Sequence, residues 1–229
     1  MWPVLREAVA HLSWLLSRGY AERSALKLVG DRFQLTERQR IAVMRCACSD
    51  ASLRHRRRAA VPCAALAGHA VDLDGFNVLT TVEAALAGGV ILDGRDGCYR
   101  DMASMHGSYR KVEETRPAIM LVGDVLEELG AADCCWFLDR PVSNSGRLAG
   151  MIREIAAQRD WRWHTRLEND VDAAIGSSAR VVASADSIVL DRCSRWFNLA
   201  REVIDRRVPD ARVIRLGEEG GTRGFPNGT

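Results

Sequence analysis

The segment 70-AVDLDGFNVL-79 alternates apolar residues with two carboxylates, Asp72 and Asp74, and runs on into Gly75, Phe76 and Asn77. Acids are depleted in strands and costly to bury unpaired, so packing alone does not account for them. Further acids stand in similar places. Asp139 closes 133-DCCWFLD-139, Asp170 and Asp172 open 169-NDVDAAIG-176, and Asp186 follows the apolar run of 180-RVVASAD-186. Carboxylates gathered at one place repel one another and rise in pKa unless a cation compensates. Hard oxygen ligands beside phosphates suit Mg²⁺ or Mn²⁺. On this reading Asp74 is a metal ligand, Gly75 allows a tight turn, and Asn77 orients the cluster from the first turn of the next helix. For any one of these aspartates, a helix cap or a turn is the competing explanation.

Two stretches bear on substrate. In 139-DRPVSNSGRLAG-150, Ser143, Asn144 and Ser145 lead through a turn into a helix bearing Arg147. Hydroxyls beside free helix N–H groups make a phosphate seat, with plain N-capping by Ser143 or Ser145 as the alternative. The long connection 93-DGRDGCYRDMASMHGSYRKVEE-114 mixes Arg95, Tyr99, Arg100, His106, Tyr109 and Arg110, cations and aromatic faces of the kind that grip single-stranded nucleic acid. The stretch 161-WRWHTRLE-168 alternates in the manner of a half-exposed strand and is read as packing.

Net charge is only +2, yet residues 1–68 hold twelve Arg or Lys against five Asp or Glu, and the remainder twenty against twenty-five. A basic module joined to an acidic one suits an enzyme that handles a polyanion around a cation, whereas the bland reading is a solvated face in an arginine-rich chain. Arg38, Arg40, Arg45 and 54-RHRRR-58 are the expected phosphate contacts. Seven cysteines without a CxxC pair suggest neither a disulfide framework nor a zinc site. No apolar run is long enough for a membrane span, and the N-terminus is unlike a signal peptide, so a cytoplasmic protein without membrane contact is expected.

The elements that must position these groups divide near residues 59–69. Upstream the apolar spacing is helical, with Thr36 and Gln39 in a capping-box pattern before TERQRIAVMRCACS. From 69 onward strands near 70–74, 90–93, 133–138, 161–165, 180–184 and 211–215 alternate with helices near 77–87, 112–129, 146–158, 169–175 and 193–206. That rhythm implies a mostly parallel sheet flanked by helices, with working groups at the carboxyl ends of the strands. The expected organisation is a basic helical module over 1–68, an α/β domain over 69–216 and a flexible tail over 217–229.

The stretches DGFN, FLDRPVSNSG, NDVDAAI and VVASAD together resemble, in order and spacing, the PIN-like nuclease superfamily and especially its NYN branch. The whole chain also resembles the uncharacterised family called domain of unknown function 434, through 18-RGY-20, 29-VGDRFQL-35, RQR and CSD. The PIN-like resemblance implies that Asp74, Asp139, Asp172 and Asp186 form an acidic set binding Mg²⁺ or Mn²⁺, with Asp72, Asp170 and Asp191 as competing acids. It implies a metal-dependent nuclease acting on RNA more than on DNA, with homo-oligomers left open. A non-catalytic RNA-binding or regulatory protein with a vestigial acidic site is the alternative. A haloacid-dehalogenase-like phosphatase ranks lower, because 72-DLDGF-76 has Phe76 where its motif wants Thr or Val.

Overall fold

The computed structural model describes residues 1–102 and 113–217. His106, Tyr109 and Arg110 lie outside the described residues, as does most of the expected tail. The described residues form two compact units, one of residues 1–58, 92–100 and 213–217, the other of residues 59–91, 101–102 and 113–212. Division by sequence alone had left 92–100 and 213–216 with the α/β domain.

The N-terminal unit is built on α1 (Trp2–Ser17), α2 (Glu22–Arg32), α3 (Glu37–Cys46) and α4 (Asp50–Ala59). Leu5, Ala8, Val9 and Leu12 form the buried stripe of α1, and Ala25, Val29, Ala42 and Val43 are the buried positions of α2 and α3. Thr36 and Gln39 close the capping box that their spacing predicts. Arg40, expected as a phosphate contact, is half-buried and engaged within the unit. It pairs with Asp31 at 2.8 Å, donates to the Leu35 carbonyl at 3.1 Å, and lies where a Cβ on Gly30 would collide with it.

A second correction concerns 56-RRR-58. Arg56 is buried and donates to Asp96 Oδ2 at 2.5 Å, while Arg100 reaches both oxygens of the same carboxylate at 2.9 and 2.7 Å. Arg95 is committed as well, to the Cys48 carbonyl and to Asp50. Burial opposes ionisation of Asp96, but the Arg100 and then the Arg56 guanidinium hold its carboxyl well below the usual range. Arg56 and Arg100 thus serve the fold, because cations that must be buried need a paired anion, while Arg95 is half-buried and Tyr99 is packed in the interior.

The second unit holds a five-stranded sheet of order β5-β4-β1-β6-β7. Its strands are β1 (Ala70–Asp74), β4 (Asp133–Asp139), β5 (Trp163–Glu168), β6 (Val181–Ala183) and β7 (Trp196–Phe197), and every pairing is parallel. The helices are α5 (Gly75–Leu86), α6 (Thr115–Glu128), α7 (Ser145–Gln158), α8 (Val171–Gly176), α9 (Ser187–Leu190) and α10 (Leu199–Arg207). Val71 and Leu73 enter a large core with residues of α5, α6, α7 and α10. Strand alternation sends Asp72 and Asp74 to the other face, where α8 packs on β1 and β4.

Two strands expected in this sheet belong elsewhere. The segments 90–93 and 211–215 appear as β2 (Val90–Asp93) and β8 (Arg212–Arg215), but they join β3 (Tyr99–Asp101) in a separate sheet of order β3-β2-β8. The helix expected over 193–206 begins only at Leu199, since Trp196 and Phe197 are buried as a strand opposite Val182 and Ala183. A two-residue strand is too short to register as a period.

Removing the shared anion tests the arginine pairing. Asp96→Ala removes the carboxylate that two buried guanidinium groups share and lowers stability by about 3–5 kcal/mol in chemical denaturation. Because the Asp96 pKa is depressed, its wild-type contribution is complete above the ordinary value of 3.8 and is lost as pH falls below it.

Candidate functional site

The parallel pairing places the ends of β5, β4, β1 and β6 at one edge, and this edge receives the acids. The chain runs from β1 outward to β4 and β5, then returns to the other side of β1 as β6, so β1 and β6 flank the reversal of strand order. Ligands of open α/β sheets bind outside the strand carboxyl ends at such a switch point. Asp74 ends β1 there. Ser184, just after β6, donates to its Oδ2 at 2.8 Å, and the Asn77 backbone N–H donates to its Oδ1 at 3.4 Å.

The two turns are tied to each other. The Asn77 side-chain oxygen accepts from the Ala185 N–H at 2.8 Å, and Ser184 Oγ accepts from the Asp186 N–H at 2.9 Å. Asp186 caps α9 through the N–H groups of Ile188 and Val189. Asp170 caps α8 through Ala173 at 2.9 Å and places Asp172 in the first helical turn. Gly75 acts differently from expectation. Its φ is not positive, and a Cβ there would stand 2.5 Å from Leu138 and 2.8 Å from the Phe137 carbonyl, so glycine lets the first turn of α5 approach β4.

The electrostatics link these groups. Burial, opposed by the Ser184 hydrogen bond and reinforced by Asp186 and then Asp172, pushes the Asp74 carboxyl up to about 7. Asp172 is raised by burial and then by Asp186, Asp139 and Asp170, with Arg192 opposing. Asp139 is raised by its own burial, with Asp170 adding to it. Asp74, Asp172 and Asp186 thus lie within one another's field, and Asp139 and Asp170 extend it toward β4. Among the described residues no group of three or more His, Cys, Asp or Glu side chains is placed to hold a metal ion as it stands.

The competing acids sort by partner. Asp72 accepts from Ser178 at 2.7 Å and lies 3.0 Å from Arg180 Nε, while Arg180 also pairs with Asp133. It serves the middle and amino end of the sheet. Asp191 is the C-cap of α9. In the expected phosphate seat, Ser145 is buried and its hydroxyl donates toward the Asp139 and Val142 carbonyls, so it is not available to a ligand. Asn144 takes the N-cap position of α7 with φ 68° and no side-chain cap bond, while Ser143 and Arg147 are exposed. Ser184 was not among the expected site residues. Its signal was its place two residues before Asp186 in the SAD sequence.

All of these acids fall inside one family match: residues 63–202 fit the model described as Domain of unknown function (DUF5616), well over half of the chain. The chain belongs to that family. The acidic edge is accordingly a feature of its DUF5616 region, whereas residues 4–58 match Protein of unknown function (DUF434). The DUF434 likeness, read from sequence over most of the chain, is thereby confined to the N-terminal helices. Over 186 residues the chain is 28% identical to Uncharacterized protein MJ0935 of Methanocaldococcus jannaschii, covering 81% of this chain and 88% of that protein. No solved structure matches.

The raised Asp74 carboxyl makes a signed prediction for the DUF5616 region. Folding favours its protonated form, so its contribution is full below the ordinary value of 3.8 and is lost as pH rises to about 7. Melting followed in EDTA across this window should fall with pH in the wild type and fall less in Asp74→Asn. Above that window the variant should melt at or above the wild-type temperature. A variant that melts lower there would mark Asp74 as a structural turn acid.

Proposed function

We propose that the protein is a metal-dependent nuclease hydrolysing phosphodiester bonds, in RNA in preference to DNA. The observation that carries this reading is the buried Asp74 at the switch point, its carboxyl pushed up to about 7 in the field of Asp186 and Asp172. Such self-repulsion is what a bound cation relieves. The donor set of aspartate oxygens fits Mg²⁺ or Mn²⁺ in kind. Mg²⁺ commonly uses one or two carboxylates, several waters and substrate phosphates, which agrees with the lack of a closed three-ligand group among the described residues.

Asp74, with Asp172 or Asp186 beside it and Asp139 at the rim, would hold the ion, which supplies an activated water and neutralises phosphate charge when bound. The chain's own residues prepare that place. Ser184 and the Asn77 N–H orient Asp74, the Asn77 side chain fixes the turn that carries Asp186, and Asp170 sets the helix that carries Asp172. Arg147 is exposed on α7, and Arg38, Arg54, Arg57 and Arg58 are exposed in the N-terminal unit, free in position to meet phosphates. The resemblance of DGFN and VVASAD to the NYN branch supports the substrate class.

A second reading, an RNA-binding protein with a vestigial acidic site, draws on that same missing three-ligand group. The phosphatase reading gains nothing, since Asp72, its first acid, is engaged by Ser178 and Arg180.

Incubation of the full chain with labelled RNA and DNA separates these. The nuclease reading expects cleavage of RNA with Mg²⁺ or Mn²⁺, none with EDTA, and a loss of more than about 100-fold in Asp74→Asn or Asp172→Asn. Binding without metal-dependent cleavage would put the vestigial-site reading in its place.

A further inference from the structure

We infer that the corner between α1 and α2 is a stacking site for single-stranded nucleic acid. The inference takes from the proposed function only the choice of nucleic acid as partner, and it does not depend on hydrolysis.

Two large rings stand in solvent at this corner: Trp14 is 53% exposed and Tyr20 51%. The apolar stripe of α1 is spent on the interior through Leu5, Ala8, Val9 and Leu12, and Trp14 lies off it. One turn on, the Arg18 guanidinium carbon sits 3.5 Å from the Trp14 ring centroid, with Nη1 donating to the Trp14 carbonyl at 3.4 Å. Gly19, at φ 79°, then turns the chain into Tyr20 and the first turn of α2, where Arg23 is exposed. The Asp50 N–H donates to Ser17 Oγ at 2.9 Å, which brings the start of α4 to the last turn of α1. That helix carries the exposed Arg54, Arg57 and Arg58.

The charge at this surface is not cancelled locally. Arg23 has no ion-pair partner among the described residues, nor have Arg57 and Arg58 in the last turn of α4, while the acids Asp31 and Asp50 are taken by Lys27, Arg40 and Arg95. Glu22 is the acid left beside Arg23.

Cations interleaved with exposed rings, Arg18 itself covering one face of Trp14, select for the occupant. Every unpaired base offers a π-face to Trp or Tyr and a phosphate to Arg, and losing one stacking ring weakens single-strand binding by about five- to 150-fold. A duplex hides its base faces and meets only the arginines. A lipid surface would want a continuous apolar face, whereas the other exposed large apolar residues of α1, Trp2 and Val4, stand at its opposite end from Trp14.

The test uses the full chain carrying Asp74→Asn, in EDTA so that no strand is cut, with binding read by anisotropy of a labelled single-stranded RNA and of a duplex of equal length. Trp14→Ala should weaken single-strand binding by at least about fivefold and leave duplex binding nearly unchanged. Trp14→Phe should restore most of the loss, and Arg18→Gln should lower the salt slope by about one. Because Trp14 is exposed, these variants keep the fold, and circular dichroism checks it. Unchanged single-strand affinity in Trp14→Ala overturns the inference. So does an equal loss for duplex, or capture by anionic vesicles that Trp14→Ala abolishes while RNA binding persists. Trp14-dependent binding by a protein that cleaves nothing would remove the nuclease reading and leave this inference standing. Cleavage with Trp14-independent binding would do the reverse.

Discussion

Parallel pairing is the constraint on which the acidic edge depends. Every strand of the order β5-β4-β1-β6-β7 points the same way, so the turns that follow β1, β4, β5 and β6 must all leave at one edge. Asp74, Asp139, the Asp170 and Asp172 pair, and Asp186 ride on those turns. Their proximity is a consequence of backbone hydrogen bonding, and their mutual repulsion is the cost of it. The core on the Val71 and Leu73 face supplies the stability against which that repulsion is held.

The close fit of the turns makes the edge a defined place. Gly75 allows α5 to press against β4, and this approach sets the position of the Asp74 and Asn77 pair. Asn77 and Ser184 then knit the β1 turn to the β6 turn with two short crosslinks to backbone and carboxylate. The Asp74 carboxylate, the Ser184 hydroxyl and the Asn77 side-chain oxygen are each hydrogen-bonded in this knot, which is the condition for polar groups to stay ordered when buried. Asp74 is thereby kept in one orientation while its charge is disfavoured.

Arginine has two fates in the N-terminal unit, and local environment separates them. Arg56 and Arg100 converge on one buried carboxylate, and Arg40 fills the space left by Gly30 while tying α2 to α3. Arg38, Arg57 and Arg58 remain in solvent. Within 56-RRR-58, Arg56 thus turns inward while Arg57 and Arg58 stay exposed, because successive helical residues point about 100° apart.

The longer helices and strands of the α/β region were legible from the sequence because their periods differ and because acids at run ends mark strand exits, whereas β3, β7 and α9 were too short to show. The capping box at Thr36 was legible for the same reason, being set by residues three apart. The alternation in 70-AVDLD-74 also determined that Asp72 and Asp74 would share a face opposite Val71 and Leu73. Partner choice lay beyond it. That β2 and β8 leave the parallel sheet, that Asp72 goes to Arg180 while Asp74 goes to Ser184, and that Asp96 gathers Arg56 and Arg100 all involve residues far apart in the chain. Local pattern decides which way a side chain points, but only the folded backbone decides what it meets there, because those encounters are set by strand order and packing distance.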